Sequence, residues 1–456
     1  MQRSKRYVNF KAIGLSLIFL FNPNINIIDV LPDFIGYILL CLALVKLADL
    51  NDTLSEALDA FKKLIIIDAA KILALMWTFG ISVSSERNSS ILLWAFVFGV
   101  LELIFVIPAF IKLFKGLSEI GYLYENSSII ASKRAYSKNK TDKLCVFTVV
   151  FLGFKALMSF VPELLNLTSP EYYDGNTTQN LYQFIGTIRL LAFVPTLIFG
   201  IVWLCRVLAY FKKVNSDEIL MPALDKAYAE KVLPRDGIFI IRNVTTALLI
   251  LAVSCVLCFD LRLENINVIP DFLSAVLLIC FFIVLGKKIK IKKAIPILLG
   301  AVYFVTSALA SFFEFKFFEN YYYSAVYRSA DALNAYRAML ISSIANVLAF
   351  VAIFVCVLIS LKKIIAEHCG HITISGESAS GAQLDMSIKK ELNKNIIICA
   401  VGLAVYAITN ICYVLLAKEY GFMFFIDVVG AIIFVVTFFK AYFDISAAVK
   451  AKYILS

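Results

Sequence analysis

The sequence predicts an all-α polytopic membrane protein of about twelve transmembrane helices, built as two parallel six-helix repeats with both termini in the cytoplasm. Three observations predict it. Hydrophobic residues make up 61% of the chain and charged residues only 17%, a balance outside soluble usage and too apolar for an aqueous surface. Apolar runs of lipid-crossing length recur from end to end, and the connectors between them alternate sharply in Lys and Arg. The element IDVLPDFI at 28–35 returns as INVIPDFL at 266–273.

A window of about 19 residues places the spans of the first half at Val8 to Phe21, Leu31 to Leu47, Leu64 to Val83, Ile91 to Phe114, Leu144 to Leu164 and Leu181 to Tyr210. Those of the second are Gly237 to Phe259, Ile269 to Leu285, Ala294 to Phe313, Met339 to Leu361, Ile396 to Leu416 and Phe422 to Phe443. The first span is short and carries Lys11 in its opening turn, which also suits a tight hairpin partner of the second. Arg3, Lys5 and Arg6 precede it with no small-residue cleavage pattern after it, as in an uncleaved first helix.

With the amino terminus inside, the outer connections hold only Arg87, Arg262, Lys316, Arg328, Arg337 and Lys418, while Lys71, Lys155 and Arg189 fall within spans. The rest of the 43 basic residues lie on inner segments or helix ends. This is the positive-inside pattern, and it requires an even number of crossings. It places the chain in the cell membrane as a multi-pass protein with the lipid bilayer as its solvent. It also accounts for the net charge of +10 without a nucleic-acid partner.

Both copies of the repeated element open an even-numbered span from the outer face. Lys62 and Lys63 before the third span are echoed by Lys292 and Lys293 before the ninth, and Lys115 after the fourth by Lys363 after the tenth. Six crossings per repeat give both the same orientation, as in folds whose halves are related by an axis along the membrane normal. The expected domains are a first six-helix half at 1–213, a cytoplasmic amphipathic linker at 214–236, a second half at 237–446 and a cytoplasmic tail at 447–456.

In the linker, Leu220, Leu224, Tyr228 and Val232 recur with the period of an interfacial amphipathic helix. Asn51 to Phe61 reads as a second such helix on the inner leaflet, with Thr53 and Glu56 spaced as a capping box. Ser375 to Gln383, rich in Ser, Gly and Ala, reads as a flexible cytoplasmic loop.

Chemistry in such a protein must come from side chains that are expensive in lipid. Those well inside spans are Asp68 and Lys71 on the third, Glu102 on the fourth, Lys155 on the fifth, Arg189 on the sixth and Asp427 on the twelfth. Each costs about 3 kcal/mol at a helix centre, so they should face the bundle interior and pair. Asp68 and Lys71 can meet on one helical face, and Glu102 and Lys155 are level enough to pair between spans. All but Asp427 fall in the first half, where Asp68 and Lys71 align with Leu298 and Ala301 of the second. That skew points to a polar pocket or ion path in the first half, or else to charge pairs that only fix helix packing.

Pro32, Asp33 and Phe34, repeated as Pro270, Asp271 and Phe272, have the composition of a helix start. Proline suits the first helical position, aspartate in the first turn complements the dipole, and the ring anchors at the interface. A ligand-binding or gating role is the alternative. The preceding hairpins, around Asn24 to Ile28 and Asn265 to Val268, are too apolar for solvated loops and are expected to dip into the membrane, where their backbone needs internal partners.

The ten cysteines, apart from Cys369, lie in apolar runs and read as small buried hydrophobes; Cys255 and Cys258 are one helical turn apart, without the context of a redox motif. His368, Cys369 and His371 have metal-binding chemistry, but Gly370 breaks the helical face between them and the sequence offers no second ligand cluster. No metal or other cofactor is expected. Tyr172, Tyr173, Tyr321, Tyr322, Tyr323 and Tyr327 sit near helix ends on the outer side, as an interfacial aromatic belt. No P-loop, GxSxG, HExxH or glycine-rich dinucleotide turn occurs, so no enzyme class is indicated and ATP is not coupled within the chain.

The segment Val30-Leu31-Pro32-Asp33-Phe34-Ile35-Gly36-Tyr37 resembles an element of uncharacterised polytopic membrane proteins of low-GC Gram-positive bacteria. The resemblance implies a polytopic membrane fold and no function. The six-plus-six plan looks like the major facilitator superfamily in topology only, because the basic loop motif of that family is absent where Leu50 to Glu56 stand. Two functional classes follow: a secondary transporter or permease for a small solute or ion, or a non-transporting assembly partner or envelope sensor. The topology itself is open to test. Accessibility labelling should reach residue 172 only from outside and residue 138 only from inside; the same face for both would undo the twelve-span reading.

Overall fold

A computed structural model of the protein describes residues 6–25, 28–29, 31–80, 84–124, 126, 129, 139–164, 185–258, 262–263, 266–267, 271–287, 289, 292–370, 379–416, 420 and 423–454. Among them the chain is helical apart from two short antiparallel ladders. Seven helices are long and apolar enough to cross a membrane, and Phe10–Leu20 and Phe272–Leu285 are shorter apolar helices. Large apolar side chains such as Ile104, Ile198, Ile359, Val401 and Val436 stand exposed on their outer faces. A soluble protein does not carry such faces; a helical membrane protein requires them.

The chain divides into two compact units, Met1–Arg235 and Asp236–Ser456. The first begins with α1 (Phe10–Ser16), whose Asn9 side chain caps the Ala12 N–H. α1 tightens into a 3-10 turn over Leu17–Leu20. The ladder β1 (Asn24–Ile25) and β2 (Ile28–Asp29) follows, then α2 (Asp33–Ala48), α3 (Asp52–Gly80), α4 (Ser84–Leu123), α5 (Lys140–Leu164), α6 (Ile185–Asn215) and α7 (Leu220–Lys231). From α1 to α6 each helix packs on the next, and α6 returns to α1, so six helices close a ring.

Two of the amphipathic segments behave differently from expectation. Asn51, not Thr53, caps α3, accepting from the Leu54 N–H at 2.9 Å. The helix then runs unbroken into the third span, because nothing in Asp52–Gly80 interrupts its hydrogen bonding. Leu54, Leu58 and Phe61 are buried, with Leu54 lying against Gly116 of α4, so this face is spent on helix packing and not on the inner leaflet. In α7, Leu220, Leu224 and Tyr228 are buried, as is Val232 just beyond it. Tyr228 stacks on Tyr7 at 5.1 Å, and Asp225 accepts from the Tyr7 N–H at 2.7 Å. The linker helix thus docks on the amino-terminal segment of its own unit.

The second unit contains α8 (Asp236–Leu257), the ladder β3 (Arg262–Leu263) and β4 (Ile266–Asn267), α9 (Phe272–Leu285), α10 (Ala294–Asn320), α11 (Ala330–His368), α12 (Ala379–Leu416) and α13 (Met423–Ile454). Again each helix packs on the next and the last returns to the first. Its core is aromatic: Phe354 meets Phe434 edge-on at 5.0 Å, and Tyr406 stacks on Phe434 at 5.7 Å. α12 is already helical at Ala379, so the carboxyl-terminal half of the expected loop Ser375 to Gln383 is helix; 375–378 lie outside the described residues, as do Tyr172 and Tyr173.

The two ladders share a register. Asn24 pairs with Asp29 and Ile25 with Ile28; Arg262 pairs with Asn267 and Leu263 with Ile266. The offset that takes Asp33 to Asp271 takes each of these residues to its counterpart. The ladders give the apolar hairpins internal backbone partners, as lipid depth demands. The crossing beside them is tight in both units. A Cβ on Gly36 would stand 2.8 Å from Phe19 Cβ, and at the matching place Ser274 Oγ bonds Ser254 Oγ at 2.8 Å.

Gly200 of α6 lies against the carbonyl oxygen of Phe21, which a Cβ would strike. Gly153 on α5 has open space around it. Gly200→Ala should therefore destabilise the protein by about 2 kcal/mol, whereas Gly153→Ala should be neutral or stabilising by up to about 1 kcal/mol. Thermal melts in detergent check the pair, and equal melting points would refute the close crossing.

Candidate functional site

In the first unit the polar centre forms where two helices end. The 3-10 turn after α1 stops at Leu20, the hairpin intervenes, and α2 starts at Asp33 after Pro32, whose ψ of 113° keeps it extended. Asp33 thus sits in the first turn as a helix start should. Its carboxylate, however, turns inward: Lys155 Nζ of α5 donates to Asp33 Oδ2 at 2.8 Å, with the two side chains only 3% and 5% exposed. The same ammonium reaches the Leu20 carbonyl at 3.4 Å. A helix carboxyl end and an acid at a helix amino end together neutralise one lysine, each supplying negative charge where the interrupted helix leaves it.

This answers where Lys155 finds its partner. The described partner of Lys155 is Asp33, at the helix start; the Glu102 side chain, the partner expected from the sequence, lies outside the described residues. Beside the pair is a cavity of about 10 Å³ lined by Leu20, Asp33, Tyr37, Leu103, Val106, Ile107, Leu152 and Lys155, room for a single water. Asp68 and Lys71 are buried on α3 and Arg189 is half-buried on α6; none lines this cavity.

The second unit has the larger and more polar cavity, about 30 Å³, beside the corresponding helix start. Its walls include Asp271 before α9, Tyr303, Ser311 and Glu314 of α10, Ser343 and Asn346 of α11, and Tyr406 and Asn410 of α12. Asp271 is the N-cap of α9 yet makes no side-chain cap bond. Asn346 Nδ2 donates to its Oδ2 at 2.7 Å instead. On the far side of Asn410, its amide donates to Asp427 of α13 at 3.5 Å, and Asp427 is 3% exposed. No lysine or arginine is among the described residues that line the cavity. Pro270 lies outside the described residues, while Phe272 packs edge-on against Phe304 at 5.8 Å.

The sequence reading missed Glu314, Asn346 and Asn410. Glu314 follows the apolar run assigned to the ninth span, yet α10 continues to Asn320. The asparagines were passed over because only ionisable groups were counted. Asn346 and Asn410 inside otherwise apolar helices were the available signal, since an amide there also needs a partner.

His368 and Cys369 end α11. His368 Nδ1 and the Tyr453 hydroxyl are 2.6 Å apart. Cys369 is fully buried, and burial pushes its thiol up to about 12, far from the thiolate a metal would need. His371 lies outside the described residues, and no group of three metal-ligating side chains occurs among those described. No protein-family profile, curated protein or solved structure matches the chain.

Removing one partner of a buried pair strands the other charge. Lys155→Met and Asp33→Asn should each lower stability by about 3 kcal/mol, and the double variant should recover most of that loss. A double-mutant cycle by thermal or chemical denaturation measures it. Additive losses would show that the two charges do not depend on each other.

Proposed function

We propose that the protein is a secondary transporter-like permease of the cell membrane for a small solute or ion, with twelve crossings in two repeated halves of shared orientation and both termini cytoplasmic. The observation that carries this reading is the polar cavity of the second unit, walled by Asp271, Glu314, Asn346 and Asn410 from four successive elements. Keeping two carboxylates and two amides inside an apolar ring is costly, and such groups in membrane bundles mark solute or ion paths by default. The repeat is supported by the matched ladders, the matched helix starts and the same closed order of six helices in each unit. An interrupted helix whose ends face buried polar groups is also the device that membrane carriers use at their binding sites.

A second reading, a non-transporting membrane partner or sensor, is favoured by one observation. Lys155 is already neutralised by Asp33, and the cavity beside it holds no more than a water. The first unit is thus built as a scaffold.

Reconstitution into liposomes separates the two. The wild-type protein should speed the dissipation of an imposed ion or solute gradient, and Asp271→Asn should cut that flux about tenfold while the helical circular dichroism is kept. Leakage no faster than that of protein-free liposomes across a panel of monovalent ions and small solutes, with a stoichiometric partner in native purification, would establish the second reading instead.

A further inference from the structure

We infer that the outer face shared by α5 and α6 in the first unit is a docking surface for an anionic phospholipid, its phosphate held by Arg206 and Lys213 and its chains laid along the apolar strip that leads to them. The inference concerns the lipid around the protein and stands apart from the permease reading.

The sequence of α6 sets the problem. Ile185–Asn215 contains Arg189, Arg206, Lys212 and Lys213 and no acidic residue. Of the seven long spans it also buries the smallest share of itself, so much of its surface meets lipid. Ile198 and Val202 stand exposed at four-residue spacing, and exposed Arg206 continues the same stripe. A charge that follows isoleucine and valine along a lipid-facing stripe is costly unless it reaches the headgroups or a counter-charge.

The structure holds this guanidinium in place without neutralising it. Arg206 Cζ lies 4.4 Å from the centre of the Phe147 ring of α5, a contact with an uncharged face. Among the described residues no carboxylate lies within ion-pair distance of Arg206 or Lys213. The first turn of α5 carries one acid, Asp142, where it complements the helix dipole. The Thr141 and Tyr210 hydroxyls are 2.9 Å apart, so α5 and α6 run side by side to this end. Lys213, also exposed, is two turns beyond Arg206 on the same face, about 10 Å nearer the helix end. The second unit fills the corresponding place differently. The offset that takes Asp33 to Asp271 takes Arg206 to Asp444 of α13, which accepts from the Asn395 amide of α12 at 2.7 Å. A helix in this place therefore does not need a cation for its own packing.

A phospholipid matches the surface in charge and in form. Val146 and Val150 are exposed on α5 either side of Phe147, as are Ile198 and Val202 on α6, and Phe147 and Phe199 fill the seam between the helices at 5.4 Å. Acyl chains pack along this strip while phosphate meets the guanidinium and the ammonium at its end, where a guanidinium can pair with two phosphate oxygens. A zwitterionic headgroup brings its own cation and gains less. A soluble anion leaves the apolar strip unused.

The test titrates the purified, delipidated full-length protein in neutral detergent with phosphatidylglycerol or phosphatidylcholine of identical chains, binding being read from the saturation of the thermal shift. The wild type should bind phosphatidylglycerol about twentyfold more tightly, and Arg206→Gln should lower that ratio about fivefold. Arg206→Lys, which keeps the charge, should retain most of the preference, and Lys440→Gln, at an exposed lysine of the second unit, should leave it unchanged. If Arg206→Gln fails to fold, Lys213→Gln decides by the same fivefold loss. Equal affinity for the two lipids overturns the inference, as does a preference that Arg206→Gln and Lys213→Gln both keep in full. An equal loss in Lys440→Gln would reduce the effect to net charge and sink the site. The same shift with inorganic phosphate alone would make the ligand a soluble anion and not a lipid.

Discussion

The structure depends on one constraint: inside lipid, every backbone group and every charge must find its partner within the protein. The places where the chain breaks its helices are where that constraint is hardest to meet. Each unit breaks once near its start, between its first and second helices. A two-residue ladder satisfies part of the exposed backbone there, and an aspartate at the restarted helix draws a polar partner from a helix later in the ring. The ring of helices closes around these breaks. Small or hydrogen-bonded residues at Gly36 and Ser274 let the first two helices of each unit approach closely enough to do so.

Much of this was legible in the sequence. Composition and hydropathy gave the membrane class because lipid-facing helices need apolar side chains whatever they pack against. The recurrence of Pro-Asp-Phe marked the two helix starts, and the apolar hairpins before them carry matched two-residue ladders. What the sequence concealed was the direction in which a side chain turns. Asp33 and Asp271 have the composition of ordinary first-turn acids, and only the fold shows that neighbouring helices claim their carboxylates. The capping residue of α3 was also hidden. Thr53 and Glu56 have the right spacing, yet the hydrogen bond belongs to Asn51 because the cap lies two residues earlier.

The balance between the halves came out differently from the count of charges. Counting ionisable residues within spans placed the polar weight in the first half, with Asp427 as the lone exception. In space, the first-half cavity is the smaller, and the aspartate and lysine among its described walls pair with each other. The second half gathers amides, hydroxyls and two acids around the larger cavity. The two measures differ for a physical reason. A salt bridge removes two charges from the chemistry of a site, whereas amides add polarity with no formal charge to count.

Lys155 then acquires a meaning that neither half gives alone. A lysine tethered at a buried aspartate is a permanent counter-ion: it costs no binding entropy and cannot leave, so the site it fills is rigid and closed. Asp271, at the same helix start in the second unit, accepts instead from the uncharged amide of Asn346. Two copies of one helix start therefore take different buried partners, a lysine from the fifth helix of one unit and an asparagine from the fourth helix of the other.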